Sequence, residues 1–151
     1  MMSIGLVYFV FVPAILTTPF AGRIAGQVGT RTAFWSASAI AIAGLPFLLV
    51  QQRNAVLLGL TLVGAGTFLA QAVATGFVGR AARTDRAAAS GIYLASYYLG
   101  GVAGSALVGQ IFERLGWAYC VAIVGLSLIV AMTFAVALVP PMNSQEVEAK
   151  P

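Results

Sequence analysis

Between Arg53 and Arg80 the chain reads Asn54-Ala55-Val56-Leu57-Leu58-Gly59-Leu60-Thr61-Leu62-Val63-Gly64-Ala65-Gly66-Thr67-Phe68-Leu69-Ala70-Gln71-Ala72-Val73-Ala74-Thr75-Gly76-Phe77-Val78-Gly79, 26 residues without a charge. A helix rises about 1.5 Å per residue and the hydrocarbon layer of a bilayer is about 30 Å thick, so roughly 20 apolar residues span it. This run is long enough. It does not alternate apolar with polar as a transmembrane strand does at about ten residues, and a helix satisfies its own backbone groups where no water is present. A membrane-spanning helix is the expected structure.

The same pattern recurs on both sides. Charges divide the rest of the chain into uncharged stretches 1–22, 32–52, 87–112 and 115–145, of 22, 21, 26 and 31 residues. Charged residues make up 8% of the sequence and apolar residues 60%, against about a quarter charged in a soluble domain. A soluble fold would have to cover five nearly all-apolar helices with too few polar surfaces. The expected fold class is therefore all-α: a polytopic membrane protein with five transmembrane helices, at about 2–20, 32–50, 55–77, 88–112 and 117–139, followed by a polar cytoplasmic tail, 140–151. Met1-Met2-Ser3-Ile4 carries no basic residue, which argues against a signal peptide and for a first stretch that stays in the membrane. Pro140-Pro141 closes the fifth span, since consecutive prolines lack the donors to continue it.

Orientation follows from the basic residues, which are retained on the cytoplasmic side. Arg23, Arg31, Arg80, Arg83, Arg86 and Lys150 fall on one face of the membrane, and Arg53 and Arg114 on the other. That bias places the N-terminus outside and the tail inside. Trp117 and Tyr119 begin the fifth span at the opposite interface, where amphipathic rings settle among headgroups. Arg80, Arg83 and Arg86 recur at intervals of three, but no nucleic-acid motif surrounds them, and arginines flanking a span are what topology requires. Nucleic acid is not an expected partner; the lipid bilayer is.

Chemistry is sparse. There is no histidine, and Asp85, Glu113, Glu146 and Glu148 all lie outside the spans, so neither a catalytic triad nor an acidic pair is available. The lone cysteine, Cys120, supports neither a disulfide framework nor a zinc site. No enzyme, metal or cofactor is expected, and no intramembrane carboxylate is present to carry a proton.

Two spans carry polar and small residues at helical spacing. On the third, Gly64, Thr67, Gln71 and Thr75 share one face; Gln71 should face other helices or water, and an interhelical hydrogen bond and a cavity-lining role both account for it. On the fourth, Gly100 with Gly104, and Gly101 with Ser105 and Gly109, form flat strips of the kind that pack membrane helices closely. Tyr93 and Tyr97 lie one turn apart on the adjoining surface, facing either headgroups or a polar cavity.

The order of these features resembles the major facilitator superfamily, in particular its bacterial drug or sugar efflux branch. Ala21-Gly22-Arg23-Ile24-Ala25-Gly26-Gln27-Val28-Gly29-Thr30-Arg31 is similar to that family's loop of the form G-x-L-A-D-R-x-G-R-R, in its second-half copy. Ala87-Ala88-Ala89-Ser90-Gly91-Ile92-Tyr93, Tyr97-Tyr98-Leu99-Gly100-Gly101 and Leu115-Gly116-Trp117 resemble the penultimate helix and its exit. The resemblance implies the eighth to twelfth helices of a twelve-helix secondary transporter of the cell inner membrane, moving a small-molecule solute by alternating access between two halves.

In that picture spans one, three and four line the path, with Thr67, Gln71, Tyr93, Ser96 and Tyr97 as cavity residues and Gly22, Gly29 and Arg31 as a gating loop. Gly26 stands where the family often has aspartate and Gln27 where it often has arginine, so the usual charged latch cannot form in full. The expected partners are then the N-terminal helices of the same transporter, and the chain is expected to be a fragment not competent alone. The alternative is a self-standing membrane protein that acts as an assembly or regulatory partner through its glycine-rich helix.

Overall fold

The computed structural model describes residues 20–82 and 84–137, together with Val12. Most of the first expected span, the tail, Arg83 and Lys150 lie outside the described residues. Within residues 20–137 as described, five helices follow in order: α1 (Ala21–Val28), α2 (Thr30–Gly44), α3 (Arg53–Ala81), α4 (Arg86–Leu115) and α5 (Trp117–Phe134). Short 3₁₀ turns extend α2 through Leu45–Leu49 and α5 through Ala135–Ala137. No strand occurs among the described residues, and the protein is an all-α polytopic membrane bundle.

Local chemistry sets the breaks. Pro46 lies in the first turn of the 3₁₀ segment; without a backbone donor it cannot continue the α-helical ladder. Asp85 caps α4, its carboxylate oxygen accepting from the Ala88 N–H at 2.9 Å, as N-cap aspartates do. Gly116 separates α4 from α5 at φ 88°, a left-handed conformation that glycine adopts without steric cost. Its N–H donates to the carbonyls of Ile111 and Phe112, which ends α4 in the manner of a glycine C-cap.

Among the described residues, four segments are long and apolar enough to cross a membrane: Thr30–Leu49, Arg53–Ala81, Arg86–Leu115 and Trp117–Phe134. At 29 and 30 residues, α3 and α4 are each about 45 Å long, enough to carry their ends into the headgroups. The stretch 21–31, expected as a connector, is largely helical. Ala21 and Ala25 are buried and Ile24 packs beside them in a cluster with Ala33, Ala37, Leu69, Ala70 and Val73, whereas Arg23, Gly26 and Gln27 are exposed. One apolar face is sufficient to dock so short a helix across the ends of α2 and α3.

The most extensive pairing is α2 with α3; α4 packs on α3 and α5, and α5 returns to α2, so the four long helices close a ring. The approach of α2 to α3 is set by glycine. A Cβ at Gly66 would lie 2.6 Å from both the Ala37 carbonyl and the Ala41 amide nitrogen, and one at Gly44 would lie 2.8 Å from the Gly59 carbonyl. Ala37 and Ala41 are fully buried on the facing side. This is small-residue packing of membrane helices, where dispersion and close backbone approach replace a hydrophobic drive.

By contrast, α4 has no buried residue. Gly100, Gly101, Gly104 and Gly109 have nothing within 4 Å of a built Cβ, and the Ser105 hydroxyl bonds its own helix at Val102. Among the described residues the close helix contact is therefore carried by Gly44, Gly59 and Gly66, while Gly100, Gly101, Ser105 and Gly109 of the α4 strip are exposed and Gly104 is half-buried.

Candidate functional site

A cleft of about 460 Å³ separates α3 from α4, lined by Phe68, Gln71, Ala72 and Thr75 on one side and Leu94 on the other. Two smaller clefts flank α4 and α5 and are almost wholly apolar. One, of about 160 Å³, is bounded by Leu45, Leu48, Trp117 and Cys120 among others, and one, of about 210 Å³, by Gly104, Leu107, Ile123 and Ser127 among others. Of these three clefts, the α3–α4 one presents a side-chain amide.

The polar groups there differ in how they are satisfied. Thr75 donates to the Gln71 carbonyl at 2.8 Å, Thr67 to the carbonyls of Val63 at 2.7 Å and Gly64 at 3.1 Å, and Ser96 to Ile92 at 2.9 Å. Hydroxyls back-bonded in this way have spent their proton on their own helix and present only lone pairs outward. The Gln71 amide makes no hydrogen bond among the described residues. It is a half-buried group with two donors and an acceptor at a cleft wall.

Of the expected cavity residues, the structure places Gln71 in this wall. Thr67 lies one turn away on the same helix and is half-buried, Tyr93 is half-buried beside Leu94, and Ser96 and Tyr97 are exposed. Tyr97 meets Tyr98 edge-on, with ring centroids 5.6 Å apart. The cleft therefore does not gather Thr67, Tyr93, Ser96 and Tyr97 around Gln71. Its other walls are Phe68, Ala72, Thr75 and Leu94. Thr75 was signalled by its spacing of four from Gln71; Phe68, Ala72 and Leu94 carry no polar signal that would single them out.

The arginine-bearing end has its own geometry. Gly22 is exposed on α1, and Gly29 turns the chain into α2 at φ 85°. The Arg31 guanidinium stacks 4.5 Å from the centre of the Trp35 ring, a cation–π contact. Trp35 in turn donates its indole N–H to the Met132 carbonyl of α5 at 3.0 Å. Arg80, near the end of α3, donates to the hydroxyl of buried Thr30 at 3.3 Å. These contacts join α2 to α5 and to α3 without a carboxylate.

Sequence comparison bears on both regions. The family model described as Major Facilitator Superfamily matches residues 1–151. The MFS-type transporter YybF of Bacillus subtilis (strain 168) is 29% identical over 126 residues, covering 83% of this chain and 31% of that protein. A transporter of Buchnera aphidicola subsp. Baizongia pistaciae (strain Bp) is 33% identical over 101 residues, covering 65% of this chain and 24% of the relative. One from Buchnera aphidicola subsp. Schizaphis graminum (strain Sg) is 25% identical over 138 residues, covering 90% and 32%. The chain thus spans about a third or less of the length of the curated relatives it matches. No solved structure matches it. Because the family match runs unbroken through the arginine-bearing end, the α3–α4 cleft and the α4 glycine strip, the chain belongs to the major facilitator superfamily, a family of transporters.

Proposed function

We propose that this chain contributes the last five helices of a secondary transporter that carries a small solute by alternating access, and that the α3–α4 cleft is part of the solute path. The observation that carries this reading is Gln71, a side-chain amide within a membrane-spanning helix, at a cleft wall, with no hydrogen-bond partner among the described residues. An amide left facing hydrocarbon is costly, whereas one facing water or a polar solute is not. Tyr93, Ser96, Tyr97 and Thr67 complete the proposed path on surfaces that the other half of the transporter would enclose.

The relatives are roughly three times as long as the stretch they share with this chain, which supports helices contributed from outside it. The strip of Gly100, Gly101, Gly104, Ser105 and Gly109, exposed except at Gly104, is then the surface those helices pack against. Under the alternative, an independent assembly protein, the same strip docks a different partner. Crosslinking from Gly101→Cys separates the two: a product with the transporter's own preceding helices supports the first reading, and a product with an unrelated membrane protein supports the second.

The arginine-bearing end is assigned to the cytoplasm of the inner membrane by the excess of basic residues there, with Gly22, Gly29 and Arg31 acting in gating and transport directed outward. Cysteine substitution of Gln71 and Tyr97 in the assembled transporter tests the path. Reaction with an aqueous thiol reagent that solute slows is the expected outcome. Protection from the reagent in every state removes both residues from it. Comparison of uptake by inverted and right-side-out vesicles tests the direction.

A further inference from the structure

We propose that the two tryptophans are a pair of clamps that fix α2 to α5 at both ends of the membrane, and that Arg31 is a positioning residue that sets the clamp at the arginine-bearing end. The chain has two tryptophans, and both make the same kind of bond across the same helix pair. Trp35, early in α2, donates its indole N–H to the Met132 carbonyl late in α5 at 3.0 Å. Trp117, the first residue of α5, donates to the Leu48 carbonyl in the 3₁₀ turn that ends α2 at 2.9 Å. The helices run antiparallel, so the two bonds lie at opposite ends of one interface.

Each bond has a local cause. Pro46 breaks α2 into the 3₁₀ turn, where carbonyls lose their helical partners, and Leu48 offers its oxygen to Trp117. Met132 lies in the last turn of α5, where carbonyls also lack intrahelical donors. The partner of each indole is therefore a helix-end carbonyl that would otherwise need water. Trp117 is further held edge-on by Phe112, with centroids 6.4 Å apart. Trp35 is held by the Arg31 guanidinium stacked on its face at 4.5 Å. A planar cation over the ring fixes its tilt, which keeps the N–H aimed at Met132.

The clamp matters because the side-chain packing it supplements is thin. Cys120 and Val121 are the buried residues of α5, and an apolar cleft lies beside Trp117. Gly44, Gly59 and Gly66 already lock α2 to α3. The indole bonds add α5 to that unit, so α2, α3 and α5 move as one body. Arg31 acts in the fold through Trp35, which is a different task from closing a charged latch. The inference rests on helix contacts alone and survives if the transport reading fails.

The test uses the full chain in lipid nanodiscs, in a Cys120→Ala background. One spin-label pair is placed at Thr32 and Thr133 and another at Phe47 and Tyr119. Trp35→Phe should broaden the first distance distribution and leave the second narrow; Trp117→Phe should do the reverse. In Trp117→Phe the remaining indole is Trp35, and ultraviolet resonance Raman reads its N–H hydrogen bond directly. Adding Arg31→Gln should move that signal toward free indole, and Arg31→Lys should move it less. Unchanged distributions in both tryptophan variants overturn the clamp. A Trp35 signal indifferent to Arg31→Gln overturns the positioning role, and since it is read on folded protein, loss of fold cannot mimic it.

Discussion

A methyl group added at Gly66 would meet two backbone atoms of α2 at 2.6 Å, whereas one added at Gly101 would meet nothing within 4 Å. Backbone cannot rotate away as a side chain can, so Gly66→Ala forces α2 and α3 apart at a cost of about 1–3 kcal/mol, the usual range for overpacking. Gly101→Ala gains helix propensity, up to about 1 kcal/mol. Thermal unfolding of the two variants in detergent should show a lowered Tm for the first and an equal or raised Tm for the second. Equal behaviour would mean that the α2–α3 contact is not as close as described. The sequence drew attention to the α4 glycines because they are dense. The decisive ones on α3, Gly59 and Gly66, are seven apart and become legible only against α2 and its 3₁₀ extension, where Gly44 and Leu48 meet Gly59 and where Ala37 and Ala41 meet Gly66.

Among the elements, α4 stands apart: clefts open on both of its interfaces and none of its residues is buried. Local stability follows burial and contact density, so in detergent the amides of α4 should exchange with deuterium faster than those of α3. Comparable protection along both helices would contradict that ranking. Asp85→Ala removes the cap on α4 and should cost about 1 kcal/mol, visible as faster exchange confined to residues 86–89. The long helices themselves were readable from uncharged length, because a bilayer demands a fixed number of apolar residues and punishes every charge within it. The helix α1 was not, since eight residues bearing Arg23 and Gln27 have no length signal. Only the partner surface of α2 and α3 shows that Ala21, Ile24 and Ala25 form a face.

For the whole molecule, the ring of α2, α3, α4 and α5 presents Arg31, Arg80 and Arg86 at one end and Gln51, Gln52, Arg53, Arg114 and Gly116 at the other. Gln71 was legible as a candidate because an uncharged span tolerates few amides without a purpose. The rest of the cleft wall was not, because Phe68, Ala72 and Leu94 belong to the site through helix crossing and not through chemistry. The crossing of α3 through the bilayer is the claim on which the cleft and the sidedness both depend. Single cysteines at Gln51 and Thr84, in a Cys120→Ala background, bracket that helix and can be labelled with a membrane-impermeant maleimide on intact cells and on inverted vesicles. The account predicts that residue 51 reacts on intact cells and residue 84 on inverted vesicles. Reaction of both from the same side would contradict it.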